Sequence, residues 1–266
     1  MTRLPANSFP LVAVDVGNSR VKLGLFETLP EPSLFPEPSR SATIKPDLEP
    51  QSIEDWLDED HARNWLIASV ERTTAARLVE RLGKSKSRKV RMLQAADLPL
   101  EIEVPDPDRV GIDRLVNAVA ANALRQPARG AVVIDIGSGI TIDSVSARGV
   151  FLGGAILPGI GMSARALHEF TDLLPLSEMS ELRDAPEPLG KNTITALRSG
   201  LFWGAVGAMR EITTRLGARL PNPQLFLTGG AAPSVAEYLV GISGEQAHFV
   251  PHLTLAGIAL SARSWS

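Results

Sequence analysis

The sequence predicts an α/β fold built from two similar halves. Three observations predict it. Short apolar runs alternate with longer stretches of helical periodicity, which implies a mixed or parallel sheet with helices on its faces. One strand–turn–strand pattern is written twice, as Asp15-Val16-Gly17-Asn18-Ser19-Arg20-Val21-Lys22 and as Asp135-Ile136-Gly137-Ser138-Gly139-Ile140-Thr141-Ile142-Asp143. A length of 266 residues suits one large domain or two ordinary ones, and the repeat favours two, placed at 1–128 and 129–266.

In the first half, 9–16 and 20–26 read as strands joined by the first glycine turn. Residues 29–39 hold Pro30, Pro32, Pro36 and Pro38 and read as loop, because proline lacks the N–H that a ladder needs. A third strand is expected over 40–45 and a short acidic helix over 52–60. A strand at 65–70, a helix at 73–82 and a strand at 90–93 follow. Ile112, Leu115, Val116, Val119, Ala120 and Ala123 recur at helical spacing after Pro105 and Pro107, so a core-facing helix starts near 112. The second half repeats the plan. Strands are expected near 131–136, 140–146 and 150–157, then a helix from Pro158-Gly159 to Phe170 and a loop over 175–191. A long helix spans 193–216, and its small residues Gly200, Gly204, Ala205 and Ala208 suggest close packing on another helix. A strand at 224–228, a helix near 233–240, a strand near 247–250 and a helix from Thr254 complete the chain.

Composition narrows the function. Hydrophobic residues make up 44% and charged residues 21%, so the chain can bury a core. A net charge of −3 gives no bulk attraction to nucleic acid or to an anionic membrane. The absence of cysteine excludes disulfides, thiol catalysis and Cys-ligated zinc. Neither a signal-peptide pattern in 1–10 nor an apolar run of spanning length is present, so the expected location is the cytoplasm.

The repeated turn is the strongest chemical signal. Glycine and small polar residues let backbone N–H groups approach an anion. Two such turns facing each other would grip the phosphates of one nucleotide. Asp15 and Asp135, where strand meets turn, can each hold a cation against phosphate oxygens or simply cap their own turn. Lys22 is a candidate phosphate contact or a strand lysine facing water. Gly111-Ile112-Asp113-Arg114 opens the amphipathic helix. Asp113 there is either a helix-dipole partner or a general base for a hydroxyl, with Arg114 anchoring a polar substrate group. Gly159-Ile160-Gly161-Met162-Ser163-Ala164 fits a dinucleotide fingerprint by spelling, but follows a hairpin rather than opening a βαβ unit. Leu227-Thr228-Gly229-Gly230 ends a strand with two glycines, for close approach of a flat ring or for a plain turn. The basic stretch from Arg81 to Arg91 lacks interleaved aromatics and reads as a solvated loop.

These motifs in this order resemble the type III pantothenate kinases of the actin-like, acetate and sugar kinase superfamily. The matching pieces are residues 15–19 with Lys22, 111–114, 135–138 with Asp143, and 153–159. Thr171, Leu174-Pro175, 190–193 and 227–230 match too. The resemblance implies a duplicated RNase H-like (actin-like ATPase) fold, two mixed β-sheets with flanking helices, in a homodimer. It implies ATP-dependent phosphorylation of pantothenate, the first step of coenzyme A biosynthesis, a phosphotransfer to an alcohol group with Mg²⁺ and a monovalent cation, K⁺ or NH₄⁺. By that resemblance Asp113 is the proton acceptor. Gly111, Ile112, Asp113, Arg114 and Thr193 contact substrate. Asp15, Val16, Gly17, Asn18, Ser19, Arg20, Val21, Lys22 and Ser138 contact ATP, and Asp135 holds K⁺. Four features depart from the family pattern. Ser19 and Ser138 stand where Thr is usual, Gly139 replaces Ala and should loosen its turn, and the only tyrosine, Tyr238, is not upstream of 111–114. Two alternatives stand beside this reading: a non-catalytic regulator on the same scaffold, and a kinase of another small hydroxy compound.

Overall fold

A computed structural model describes residues 9–28, 35–47, 56, 64–177, 184–239 and 247–262. The helix expected over 52–60 lies outside them except for Trp56, which is buried. Contacts divide the chain into two units, Met1–Leu124 with His252–Ser266, and Arg125–Pro251.

The first unit is built on a five-stranded sheet of order β3-β2-β1-β4-β5. Its strands are β1 (Leu11–Val16), β2 (Val21–Phe26), β3 (Arg40–Ile44), β4 (Asn64–Ser69) and β5 (Lys89–Met92). β1 runs antiparallel to β2 and parallel to β4. Side chains alternate across a strand, so each face has its own partner. Val12, Val14 and Val16 join Val21, Leu23, Leu25, Trp65 and Ile67 against Ala75, Leu78 and Leu82 of α1 (Arg72–Leu82). The other face, with Leu11, Ala13 and Asp15, is served by α2 (Ile112–Leu124) and by the chain's last described helix, Leu253–Ser261. A two-residue strand β6 (Glu101–Ile102) precedes α2.

The second unit orders its strands β11-β10-β7-β8-β9. These are β7 (Ala131–Ile136), β8 (Gly139–Val145), β9 (Val150–Pro158), β10 (Gln224–Thr228) and β11 (His248–Phe249). β7 is antiparallel to β8 and parallel to β10, which repeats the relation of β1 to β2 and β4. Its helices are α3 (Ile160–Glu169), α4 (Thr193–Gly217) and the single turn α5 (Ala232–Val235); α6 is Leu253–Ser261 of the first unit. Val132, Ile134, Ile136, Ile140 and Ile142 pack against Phe202, Val206 and Met209 of α4.

Three sequence expectations need correction. The helix α6 sits with the first unit, whereas a cut at 128/129 assigned it to the second. Its nine residues are all buried, and a helix apolar on every side must be covered on every side. α2 and the sheet supply that cover, and Gly257 seats α6 directly on the backbone of Val116. The helix expected near 233–240 is one α-turn followed by 3₁₀ turns at Ala236–Leu239. Of the small residues of α4, Gly200 and Gly204 are not closely packed on another helix within the unit: among the described residues, a Cβ placed at either would meet nothing within 4 Å, whereas Ala205 packs on the unit's core.

α1 begins on an acidic cap. Glu71 accepts from the N–H groups of Thr73 (2.9 Å) and Thr74 (2.6 Å). Hydrogen bonding from the Thr74 side chain, then from the backbone of Thr74 and Thr73, pushes the Glu71 carboxyl down to about 2 from its usual 4.5. A carboxylate depressed on folding adds stability that is complete above the unfolded value and lost as pH falls through the folded one. Acidification from pH 4.5 to 2 should therefore remove this contribution from the wild type and leave Glu71→Gln unaffected in that respect. Thermal melts across this window would show it; parallel acid profiles for the two proteins would rule the cap out as a pH-linked element.

Candidate functional site

In the first unit the turn after β1 is closed by Gly17 N–H donating to the Arg20 carbonyl at 3.0 Å. Asn18, Ser19 and Arg20 form its exposed tip. Asp15 is buried next to the turn, directly opposite Lys22 in the β1–β2 register. Lys22 Nζ lies 3.3 Å from Asp15 Oδ2, so this lysine stands over the hairpin rather than out in water. Val70, just past β4, donates its N–H to the Val16 carbonyl at 3.1 Å. The start of α2 adjoins the same place, since a Cβ on Gly111 would stand 3.6 Å from Val70 Cγ1. The Gly17 turn and the first turn of α2 thus share the carboxyl end of the parallel pair β1–β4, the usual ligand end of such sheets.

Asp113 is fixed from two sides. Its Oδ1 accepts the Arg114 N–H at 2.8 Å, and a Cβ on Gly111 would come within 2.5 Å of that oxygen. Glycine at 111 is therefore the space the carboxylate occupies. A helix N-terminus favours the anionic form, which is the form that accepts a proton. Ile112 is buried and anchors the turn, while Asp113 and Arg114 are half-buried.

The second unit carries the matching loop. Asp135 is next to last in β7, as Asp15 is in β1, and pairs in register with Thr141 of β8 and Thr228 of β10. Gly137 N–H donates to the Gly139 carbonyl at 2.9 Å, and Gly159 N–H to the Ser138 carbonyl at 3.1 Å. Gly159 caps α3 and is packed on the loop, where a Cβ would stand 2.6 Å from the Gly137 oxygen. That contact, and the antiparallel β8–β9 pair before it, gives the 159–164 motif its use and leaves no βαβ unit for a dinucleotide fingerprint. Gly229 closes the other flank with φ +96°; a Cβ there would lie 2.6 Å from Asp135 Oδ1. Gly139 opens β8 and pairs in register with Pro158 of β9.

Thr193 belongs elsewhere in this unit. It is the first residue of α4, after Asn192, whose Oδ1 accepts the Thr195 N–H at 2.9 Å. It lines a cavity of about 710 Å³ with Leu167, Leu174, Lys191, Leu197 and Leu201, and neither Asp135 nor Ser138 is in that lining. Ser199 Oγ and Trp203 Nε1 donate to the carbonyls of Pro188 (2.7 Å) and Pro186 (2.9 Å), tying the segment before Thr193 to α4. Tyr238 packs edge-on against Phe202 and Trp203, so it is part of this unit's core rim. Among the described residues no cluster of three or more His, Cys, Asp or Glu side chains could hold a metal. The roles of Gly111, Gly159 and Gly229 as space for a carboxylate or a loop were not legible as such; only their place at strand and helix ends was.

A sheet repeated in two units, each with an acid beside a glycine turn, defines an actin-like ATPase fold. The solved structure of the ethanolamine utilization protein EutJ from Carboxydothermus hydrogenoformans has a similar fold, with TM-score 0.54 and 14% identity over 94% of this chain and 88% of that one. The type III pantothenate kinase family model matches residues 11–215. The type III pantothenate kinase of Anaeromyxobacter dehalogenans is 34% identical over 94% of this chain and 97% of its own length. That of Saccharopolyspora erythraea is 32% identical over 94% and 97%. The chain belongs to the type III pantothenate kinase family.

Two glycines separate geometry from motif spelling. Gly111→Ala should displace the Asp113 carboxylate and cut turnover with the fold intact, since the clash is with a side-chain oxygen. Gly139→Ala should be silent or should stabilise by about 0.4–1 kcal/mol, because the new Cβ meets nothing nearer than the Leu157 oxygen at 3.5 Å. Steady-state kinetics and melts on both variants would check this; full turnover in Gly111→Ala would detach that glycine from the Asp113 site.

Proposed function

We propose that Asp113 is the proton acceptor of the reaction, with Gly111, Ile112, Arg114 and Thr193 as substrate contacts. Family membership makes that reaction the ATP-dependent phosphorylation of pantothenate, which opens coenzyme A biosynthesis. One observation carries the assignment: the Asp113 carboxylate is held at the carboxyl end of β1–β4, where Asp15, Lys22 and the Gly17 turn also lie. As the primary hydroxyl of pantothenate attacks the γ-phosphorus of ATP, Asp113 takes the hydroxyl proton, the β–γ bridging bond breaks and ADP leaves. Positioning and charge neutralisation dominate such transfers, so the base adds to them rather than replacing them.

The nucleotide contacts are assigned to 15–22 and Ser138. Backbone N–H groups of the exposed 18–20 tip suit phosphate oxygens, and Lys22 offsets their charge. Asp15 suits a hydrated Mg²⁺, which neutralises the β- and γ-phosphates when bound. Asp135 is assigned to the monovalent cation, K⁺ or NH₄⁺. A homodimer is part of the same reading. It is supported by Phe170 and Leu173, which are 83% and 87% exposed beside the Thr193 cavity segment, and by the open face at Gly200 and Gly204. Among the described residues no helix is long and apolar enough to cross a membrane.

ADP release by the purified protein with ATP and Mg²⁺ should require pantothenate and should rise on adding K⁺ or NH₄⁺. Replacing Asp113 by Asn should lower kcat by roughly 10²–10⁴. Near-wild-type turnover in that variant would remove the acceptor role. Release that responds to another small alcohol and not to pantothenate would move the substrate.

A further inference from the structure

Thr228 ends β10 and is 1% exposed, and its Oγ1 is buried without a hydrogen-bond partner. A buried hydroxyl left in that state destabilises the fold. Its position is not arbitrary. Leu225 and Leu227 face the α4 core, so Thr228 projects from the opposite face of the sheet. That is the face of Asp135, its register partner on the neighbouring parallel strand. Thr141 of β8 is the register partner of Asp135 on the other side. Asp135 is therefore flanked by two threonines in one cross-strand row of oxygen-bearing side chains. Of the two, Thr228 has the fully buried, unserved oxygen. Gly229 follows it, and by lacking a Cβ leaves the Asp135 carboxylate its place at that end of the strand.

We infer that Thr228 is a ligand, through Oγ1, of the monovalent cation held by Asp135. This rests on the assignment of that cation to Asp135 above. One carboxylate with neutral hydroxyl oxygens is a hard, weakly charged donor set, which suits a singly charged ion and lacks the charge of a dedicated divalent site. The unsatisfied hydroxyl is a cost to the unliganded fold that ion binding recovers, so cation binding and stability are linked.

Thermal melts of the full chain, with KCl replacing choline chloride at constant ionic strength, test this without reference to turnover. K⁺ should raise the Tm of the wild type and of Thr228→Ser, and leave Asp135→Asn unmoved. In Thr228→Val the half-saturating K⁺ concentration should rise by about tenfold, the lower end of what losing a supporting group costs a metal site. Without K⁺, Thr228→Val should melt no lower than the wild type, because valine removes only an unserved hydroxyl. If Thr228→Val follows the wild-type K⁺ curve while Asp135→Asn has lost it, the cation site stands and the role of Thr228 is overturned. If K⁺ moves neither the wild-type Tm nor its ADP release, the assignment of a cation to Asp135 fails, and this inference with it.

Discussion

Alternation of side chains along two central strands is the constraint on which the rest depends. Val12, Val14 and Val16 must face α1 to form the first core, and Ile134 and Ile136 must face α4 to form the second. Burial of each such side chain contributes roughly 1.5–3 kcal/mol, so neither register can slip. Asp15 and Asp135 are then carried to the opposite face, each one residue from the end of its strand. A slip of one residue in β1 would put a carboxylate beneath α1 and a valine where Asp15 stands beside the Gly17 turn. The chemistry is placed by the hydrophobic pattern before any polar contact forms.

Glycine does the complementary work of leaving space. Gly111 yields to the Asp113 carboxylate, Gly159 to the loop at 137–138, and Gly229 to Asp135. Gly154 in β9 lies opposite the buried Asp143 in register, and a Cβ there would stand 2.5 Å from its Oδ1. In each case a single missing methyl lets an oxygen or a backbone segment sit where the sheet or helix would otherwise exclude it. Only Gly229 among these four has positive φ, so close approach rather than backbone freedom accounts for the other three.

Much of this was legible in the sequence, and the pattern of misses is instructive. The strands around Asp15 and Asp135 and the helix from Ile112 are local in origin, set by runs and periodicity that a few residues suffice to reveal. The membership of α6 was not, because an all-apolar helix advertises burial without saying against what. The pairing of Lys22 with Asp15 follows from hairpin register, which the length of the Gly17 turn fixes but its spelling does not. Thr228 was visible only as part of a strand end. Its significance comes from β7 lying beside β10, a pairing between segments far apart in the chain.

The return of α6 to the first sheet has a consequence for how the protein is made. The core that supports Asp15 and Asp113 is drawn from stretches far apart in the sequence, with Gly257 set on Val116 and Leu255 near Gly24. On a ribosome, the segment 125–251 has been translated before that helix emerges. The first unit can therefore reach its finished form only after the second unit's segment has been made, and a chain interrupted before that helix carries an intact turn sequence on an incomplete foundation. The setting of Asp113 is in this way made conditional on a helix translated well over a hundred residues after it.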